Sequence, residues 1–176
     1  PQWSLFSKSL DEKKITEHYY NLNKILKQFS NIYKKKIIVC LHPNDNLELK
    51  KKYFSDFEVV KYQTRENIYK SFMVLFFEST AIVDAIILKK RIIAIMSNVM
   101  DENQIKGVSH YVEELGIEKI NIEDDVIVDT NNKNAFLLKL DKATKNYSNF
   151  INSYIAADGN NLGYEKIIST LKSRFF

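Results

Sequence analysis

The sequence predicts an α/β protein built on a doubly wound, mainly parallel sheet, and three observations carry that prediction. Short runs of apolar residues at 37–41 (IIVCL), 72–77 (FMVLFF) and 91–95 (RIIAI) read as strands covered on both faces. Segments with helical spacing or helix-start signals lie between them, so strand and helix alternate through most of the chain. Several strands end in a polar cluster at the carboxyl end: His42, then Tyr62-Gln63-Thr64, Glu78-Ser79-Thr80 and Ser97-Asn98. Open α/β sheets bind their ligands outside that edge.

The elements can be justified in order. Residues 1–8 (PQWSLFSK) read as a loop leaving a strand that lies upstream. Ser9-Leu10-Asp11-Glu12 matches a capping box with Ser9 as N-cap. Ile15, Tyr19, Leu22, Leu26 and Phe29 then follow helical spacing, so 11–29 is expected as an amphipathic helix, with His18 as a partly exposed packing residue beside its stripe. The strand at 37–41 ends at His42-Pro43-Asn44, because proline cannot continue a ladder. Asn44 or Asp45 is expected to cap a helix reaching Tyr53. A strand at 57–62, a short helix bracketed by Thr64 and Asn67, and the 72–77 strand follow. After the Glu-Ser-Thr turn, Ile82, Ala85, Ile86 and Leu88 give a mostly apolar helix suited to lying on a sheet. The 91–95 strand leads into a polar loop at 97–108. Ser109 is expected to cap a helix that stops at Gly116. A strand at 119–122, a short one at 126–128, a helix at 133–155, a break at Asp158-Gly159-Asn160-Asn161 and a final helix at 163–174 complete the reading.

Composition bounds the function. With 176 residues, 45% hydrophobic and 27% charged, the chain can bury one full core, and 1–176 is expected as a single domain. It contains no apolar run of the roughly 18 residues a membrane span needs. The start Pro1-Gln2-Trp3 has neither an initiator Met nor a signal-peptide pattern and is read as a trimmed end. The single cysteine, Cys40, excludes an internal disulfide and points to a reducing cytoplasm. A net charge of +4 and a pI near 9.0 suit an anionic ligand such as a nucleotide, or peripheral attraction to the acidic inner face of a cell membrane. Lys34-Lys35-Lys36 and Lys50-Lys51-Lys52 read as solvated element ends. There is no zinc-ligand spacing, no RNA-binding fingerprint and no repeat, so neither a metal nor nucleic acid is expected.

The chemistry-bearing residues lie at the strand ends. A histidine there can donate to a phosphate oxygen or protonate it as a leaving group departs. Ser79 and Thr80 place two hydroxyls where a helix begins, and a helix N-terminus attracts anions through its free N–H groups. Ser79 or Thr80 can equally be an ordinary N-cap. Glu78 can accept from a ribose hydroxyl or face solvent. Gln63, Thr64 and Glu66 are lesser candidates for base or ribose contacts by position alone. Asp84, on the same helix face as Thr80, either orients that turn or is an exposed helical acid. Lys89, Lys90 and Arg91 complement the end of the helix.

In combination these pieces resemble the C-terminal, nucleotide-binding half of GT-B glycosyltransferases of the His-Pro/Ser-Ser type. That group includes bacterial sialyl- and polysialyltransferases and teichoic-acid glycerophosphotransferases. The matching residues are Pro1 and Trp3, His42 and Pro43, Ser79 and Thr80, and Asp84, with the ending NLGYEKIISTLK similar to the closing helix of these enzymes. The resemblance implies a Rossmann-like domain in which His42, Pro43, Ser79 and Thr80 hold the phosphate of a CMP- or CDP-activated donor, and His42 assists the leaving phosphate. It implies a separate N-terminal domain that binds a glycan or lipid-linked acceptor and supplies the base. It also implies transfer without a metal or cofactor, in the making of capsule or lipooligosaccharide. Two departures are visible: Ser79-Thr80 stands for Ser-Ser, and Lys90-Arg91 stands for Lys-Pro. UDP-N-acetylhexosamine 2-epimerases share the layout and a His-Pro-Asn, matched by His42-Pro43-Asn44. They carry Ser-Gly-Gly where this chain has Ser79-Thr80-Ala81, and Ala81 lacks glycine's freedom for close backbone approach. A non-catalytic α/β interaction module is the third reading.

Overall fold

The computed structural model of the chain describes residues 11–124 and 130–155. Its first helix, α1 (Glu12–Tyr33), starts with the Asp11 carboxylate accepting from the Lys13 amide at 3.3 Å. Asp11 is therefore the N-cap, whereas Ser9 lies outside the described residues. The helix runs four residues beyond the expected end and stops at Lys34, which takes the left-handed conformation at φ 53°.

Among the described residues five short strands follow, each separated by a helix: β1 (Ile38–Leu41), α2 (Leu47–Tyr53), β2 (Glu58–Lys61), α3 (Thr64–Lys70), β3 (Met73–Phe76), α4 (Ile82–Ile87), β4 (Arg91–Met96), α5 (Glu102–Leu115) and β5 (Glu118–Asn121). All pairings are parallel, as the alternation requires. They form two sheets: β1 pairs with β2, opposing Val39 to Val59, and β3, β4 and β5 pair in that order, opposing Val74 to Ile92 and Ile95 to Ile120.

The pleat of the strands divides the core in two. On one face Ile93 and Ile95 of β4, with Met73 and Leu75 of β3, meet Leu22, Ile25, Leu26 and Phe29 of α1. Val39 and Val59 pack against the same cluster, so α1 lies across both sheets. On the other face Ile92, Ala94 and Phe76 meet Ile82, Ala85 and Ile86 of α4 and Val108 and Leu115 of α5. β4 is buried from Ile92 to Ile95, with Ile92 and Ile93 fully inaccessible. Each such isoleucine is worth about 1.5–3 kcal/mol of burial. β1 and β3 differ from that pattern: only Leu41 and Phe76 are buried, and Ile38 is exposed. The expectation that 37–41 and 72–77 are covered on both faces therefore fails on the described residues.

Three other expectations are corrected. Helix α5 begins at Asp101, not Ser109, because Asp101 and Gln104 form a reciprocal capping box with both bonds at 3.0 Å. Gly107 sits inside the helix, where a Cβ would meet nothing within 4 Å. Helix α2 is capped by Asn46, whose side chain accepts from the Leu49 amide at 3.0 Å, and not by Asn44 or Asp45. The helix expected at 133–155 is interrupted: α6 (Lys133–Ala143) passes through a 3-10 turn (Thr144–Asn146) into α7 (Tyr147–Phe150) and a π turn (Ile151–Ile155). Arg91, at the start of β4, fastens α6 through two bonds to the Asp141 carboxylate at 2.6 and 2.9 Å. The strand expected at 126–128, the break at 158–161 and the closing helix lie outside the described residues, as do Pro1 and Trp3. Among the described residues, no helix is long and apolar enough to cross a membrane.

Candidate functional site

A cavity of about 810 Å³ runs between β1 and β3, from Lys35, Lys36 and Phe72 at their amino ends to a mouth at their carboxyl ends. His42, Pro43, Thr64, Glu78, Ser79 and Thr80 all line it. Parallel strand direction explains why: residues that follow β1 and β3, or begin the helix after β2, share one edge. Gln63 and Glu66 are placed elsewhere, in a second cleft of about 560 Å³ with Tyr62, Tyr69 and Asp84. There Glu66 pairs with Lys70, four residues on, which draws its carboxyl below the usual range. Asp84 pairs with Arg65 at 3.3 Å rather than with the Thr80 turn.

His42 is held by its own turn. The Asp45 carboxylate accepts from the His42 amide at 3.0 Å, and the His42 carbonyl accepts from the Asp45 amide at 2.9 Å. The Asn44 amide donates to His42 Nδ1 at 3.1 Å. In the neutral ring this bond leaves the proton on Nε2, so the exposed imidazole offers an N–H donor without first being protonated.

Across the cavity mouth the Glu-Ser-Thr turn differs from expectation. Helix α4 has only six residues and its N-cap is Ala81, with no side-chain cap. Ser79 Oγ accepts from the Ala81 amide at 3.2 Å, which leaves the hydroxyl proton to donate. The amides of Ile82, Val83 and Asp84 are each engaged at 3.2 Å by the carbonyls three residues back. These amides are therefore not the free N–H groups expected at a helix start. What this turn presents is the half-buried Ser79 hydroxyl with the exposed Thr80 and Glu78.

Four more residues on the cavity wall were missed by sequence reasoning: His18, Tyr19, Asp45 and Lys50. Lys50 is buried on the inner side of α2 and donates to the Tyr19 hydroxyl, with its ammonium 5.0 Å from the Tyr19 ring. Burial lowers the Lys50 pKa, and Asp45 opposes that shift. Tyr19 stacks on Tyr53 with ring centroids 4.0 Å apart, and burial pushes its hydroxyl pKa up. Only Lys51 and Lys52 of the lysine triplet are solvated as expected.

His18 is also buried, against expectation, and 3% exposed. Its Nδ1 lies 2.9 Å from Ser97 Oγ, which in turn donates to Glu123 at 3.0 Å. Since Ser97 donates onward, His18 Nδ1 carries a proton and donates to Ser97. Desolvation, then the nearby Lys50 charge, lowers its pKa to about 4. The Ser97-Asn98 cluster is therefore a structural relay under the cavity rather than part of its wall. The phase of α1 could have shown this: His18 and Ile25 fall in one row with Leu22 and Phe29 of the expected stripe, and all four are buried. Cys40 lies within the gap, its thiol pKa raised by burial and then by Glu58, with a Thr64 hydrogen bond acting against the shift.

The fold and the carboxyl-edge cavity define a Rossmann-like α/β protein. Compared with known proteins, the chain matches no protein family, no curated protein and no solved structure.

Proposed function

We propose that this chain is the donor-nucleotide half of a GT-B glycosyltransferase, acting on a CMP- or CDP-activated donor for a bacterial surface glycan. One observation carries the reading: His42 with Pro43, and Ser79 with Thr80, from the ends of two strands distant in sequence, line the mouth of one cavity. In the proposed reaction the donor's bond to the leaving nucleotide breaks and negative charge gathers on the leaving phosphate. His42 Nε2–H and the Ser79 and Thr80 hydroxyls are neutral donors suited to that charge, and such pre-set donors act by electrostatic stabilisation. Lys50, behind them, adds a partly desolvated cation. The acceptor and its base are assigned to a separate N-terminal domain. Peripheral attachment to the inner membrane face fits the net charge of +4.

Calorimetric titration with CMP, CDP and UDP tests the proposal. Each hydrogen bond to a charged phosphate is worth about 1.5–3 kcal/mol, so His42→Ala and Ser79→Ala should each weaken CMP or CDP binding by about 10-fold or more. Unchanged affinity in both variants would leave the interaction-module reading. A preference for UDP that survives in the wild-type chain would favour the epimerase.

A further inference from the structure

We infer that the gap between β1 and β3 is the place of one more parallel strand, supplied by this protein's own polypeptide on the N-terminal side of α1. Three independent observations converge on it. First, the cavity is lined along its length by both strands, from Ile38 to Leu41 on one side and Met73 to Phe76 on the other, and no described strand lies between them. Second, these two strands have the composition of central strands. Their runs are uninterrupted and apolar, without the lysine, proline or bulge that blunts a natural sheet edge. Yet they are only partly buried, whereas β4, paired on both sides, is inaccessible from Ile92 to Ile95. Third, the buried face of α1 belongs to one cluster that takes Val39 and Val59 from one sheet as well as Met73 and Leu75 from the other, so α1 covers both sheets on one face. A helix in that position is the crossover a strand in the gap would need to reach β1.

Counting the inserted strand as first in the chain gives the spatial order 3-2-1-4-5-6, that of a doubly wound dinucleotide-binding sheet. Its direction must be parallel, because α1 begins at the carboxyl edge, where His18 meets Phe77 and Ser97, and ends at the amino edge, where Tyr33 meets Phe72. The strand would fill the apolar body of the cavity and leave its mouth open. Its last residue would then stand between His42 and Glu78-Ser79, at the point where the strand order reverses and such sheets bind ligands. The inference does not depend on which nucleotide, if any, the mouth takes.

Two measurements on the full-length polypeptide test it. By hydrogen exchange, the amides of β1 and β3 that point into the gap, away from β2 and β4, should be slowed about 1,000-fold or more, like those of β4. Exchange of those gap-facing amides at the rate of exposed loops, with β4 protected, would overturn the inference. Direct pairing of β1 with β3 would also protect them, and a disulfide trial separates the two arrangements. An intervening strand holds β1 and β3 about 9.6 Å apart, beyond the roughly 7 Å limit for a disulfide. Native Cys40 should therefore fail to oxidise with Val74→Cys, and ready disulfide formation would exclude the inserted strand. Protection that rises with protein concentration would assign the gap to a second copy instead, and so also reject the proposal.

Discussion

His18 gives the sharpest test of the structure, because its burial converts directly into a pH dependence. The folded pKa is about 4, against 6.5 for the free side chain. Between those values the unfolded chain binds a proton that the folded chain refuses, so unfolding becomes easier as pH falls. The His18 contribution is fully present above about pH 6.5, falls as pH drops, and is exhausted below about pH 4. The shift of about 2.5 units amounts to about 3 kcal/mol in total, of which about 2 kcal/mol is already lost at pH 5. Urea midpoints at pH 7 and pH 5, compared between the wild-type chain and His18→Gln, isolate the effect, since every other ionisable group is common to both proteins. At a slope of about 1–3 kcal/mol/M, the wild-type midpoint should fall by about 1 M more than that of the variant. The variant starts lower, having lost the bond to Ser97, but its midpoint should depend less on pH. Equal falls in the two proteins would mean that His18 is solvated in the native state and that the Ser97–Glu123 relay does not hold it neutral.

Three further outcomes follow from particular contacts. Gly116 ends α5 at φ +61°, and an added Cβ would stand 2.8 Å from Asn146 Nδ2, which donates to the Leu115 carbonyl. Gly116→Ala should therefore cost about 2 kcal/mol, half from the left-handed conformation and half from the displaced bond, and calorimetry should show Tm lower by about 4–8 °C. The Arg91–Asp141 pair is bidentate but partly solvated, at 26% and 47% side-chain exposure, so a double-mutant cycle to alanine should give a coupling of about 0.5–1 kcal/mol that shrinks in 1 M salt. Lys50→Met should cost about 1–2 kcal/mol by stranding the buried Tyr19 hydroxyl, whereas Lys50→Met with Tyr19→Phe should recover part of that loss in urea unfolding. A double variant less stable than the single would refute the assignment of Tyr19 as the partner that matters.

The sequence made β1, β3 and β4 legible because apolar runs such as IIVCL, FMVLFF and RIIAI suit a strand of a parallel sheet, with β2 and β5 following from the alternation. Strand ends were legible for the same reason: the first polar residue after such a run marks the edge, which brought out His42 and Ser79. What stayed hidden depends on phase and on contacts distant in sequence. Lys50 looked like its neighbours Lys51 and Lys52, yet only position 50 faces inward from a helix that also places Phe54 in the core. His18 required a partner 79 residues away to be buried neutral. The start of α5 was hidden because the polar stretch 97–108, with Gly107 near its end, reads as a loop. An unencumbered helix interior tolerates a glycine at about 1 kcal/mol, and the Asp101-x-x-Gln104 cap outweighs it.

The same physical logic constrains what the cavity mouth could do with an anion. Among the described residues its one buried lysine, Lys50, is screened by Asp45 and donates to Tyr19, and the first amides of α4 are engaged in their own turn. In the proposed site, attraction by net charge is therefore weak, and the donors available are an imidazole N–H fixed by the Asn44 amide and a serine hydroxyl fixed by the Ala81 amide. Neutral donors cost little to keep desolvated when no ligand is present, whereas a bare lysine or arginine in the same place would carry a penalty of several kcal/mol. They also reward geometry more than charge, since each bond weakens steeply when its angle departs from linear. A phosphate at this edge would thus be selected by where its oxygens fall between two strand ends. The spacing of those ends is set by whatever occupies the gap between β1 and β3, so completing the sheet and shaping the site are one structural event.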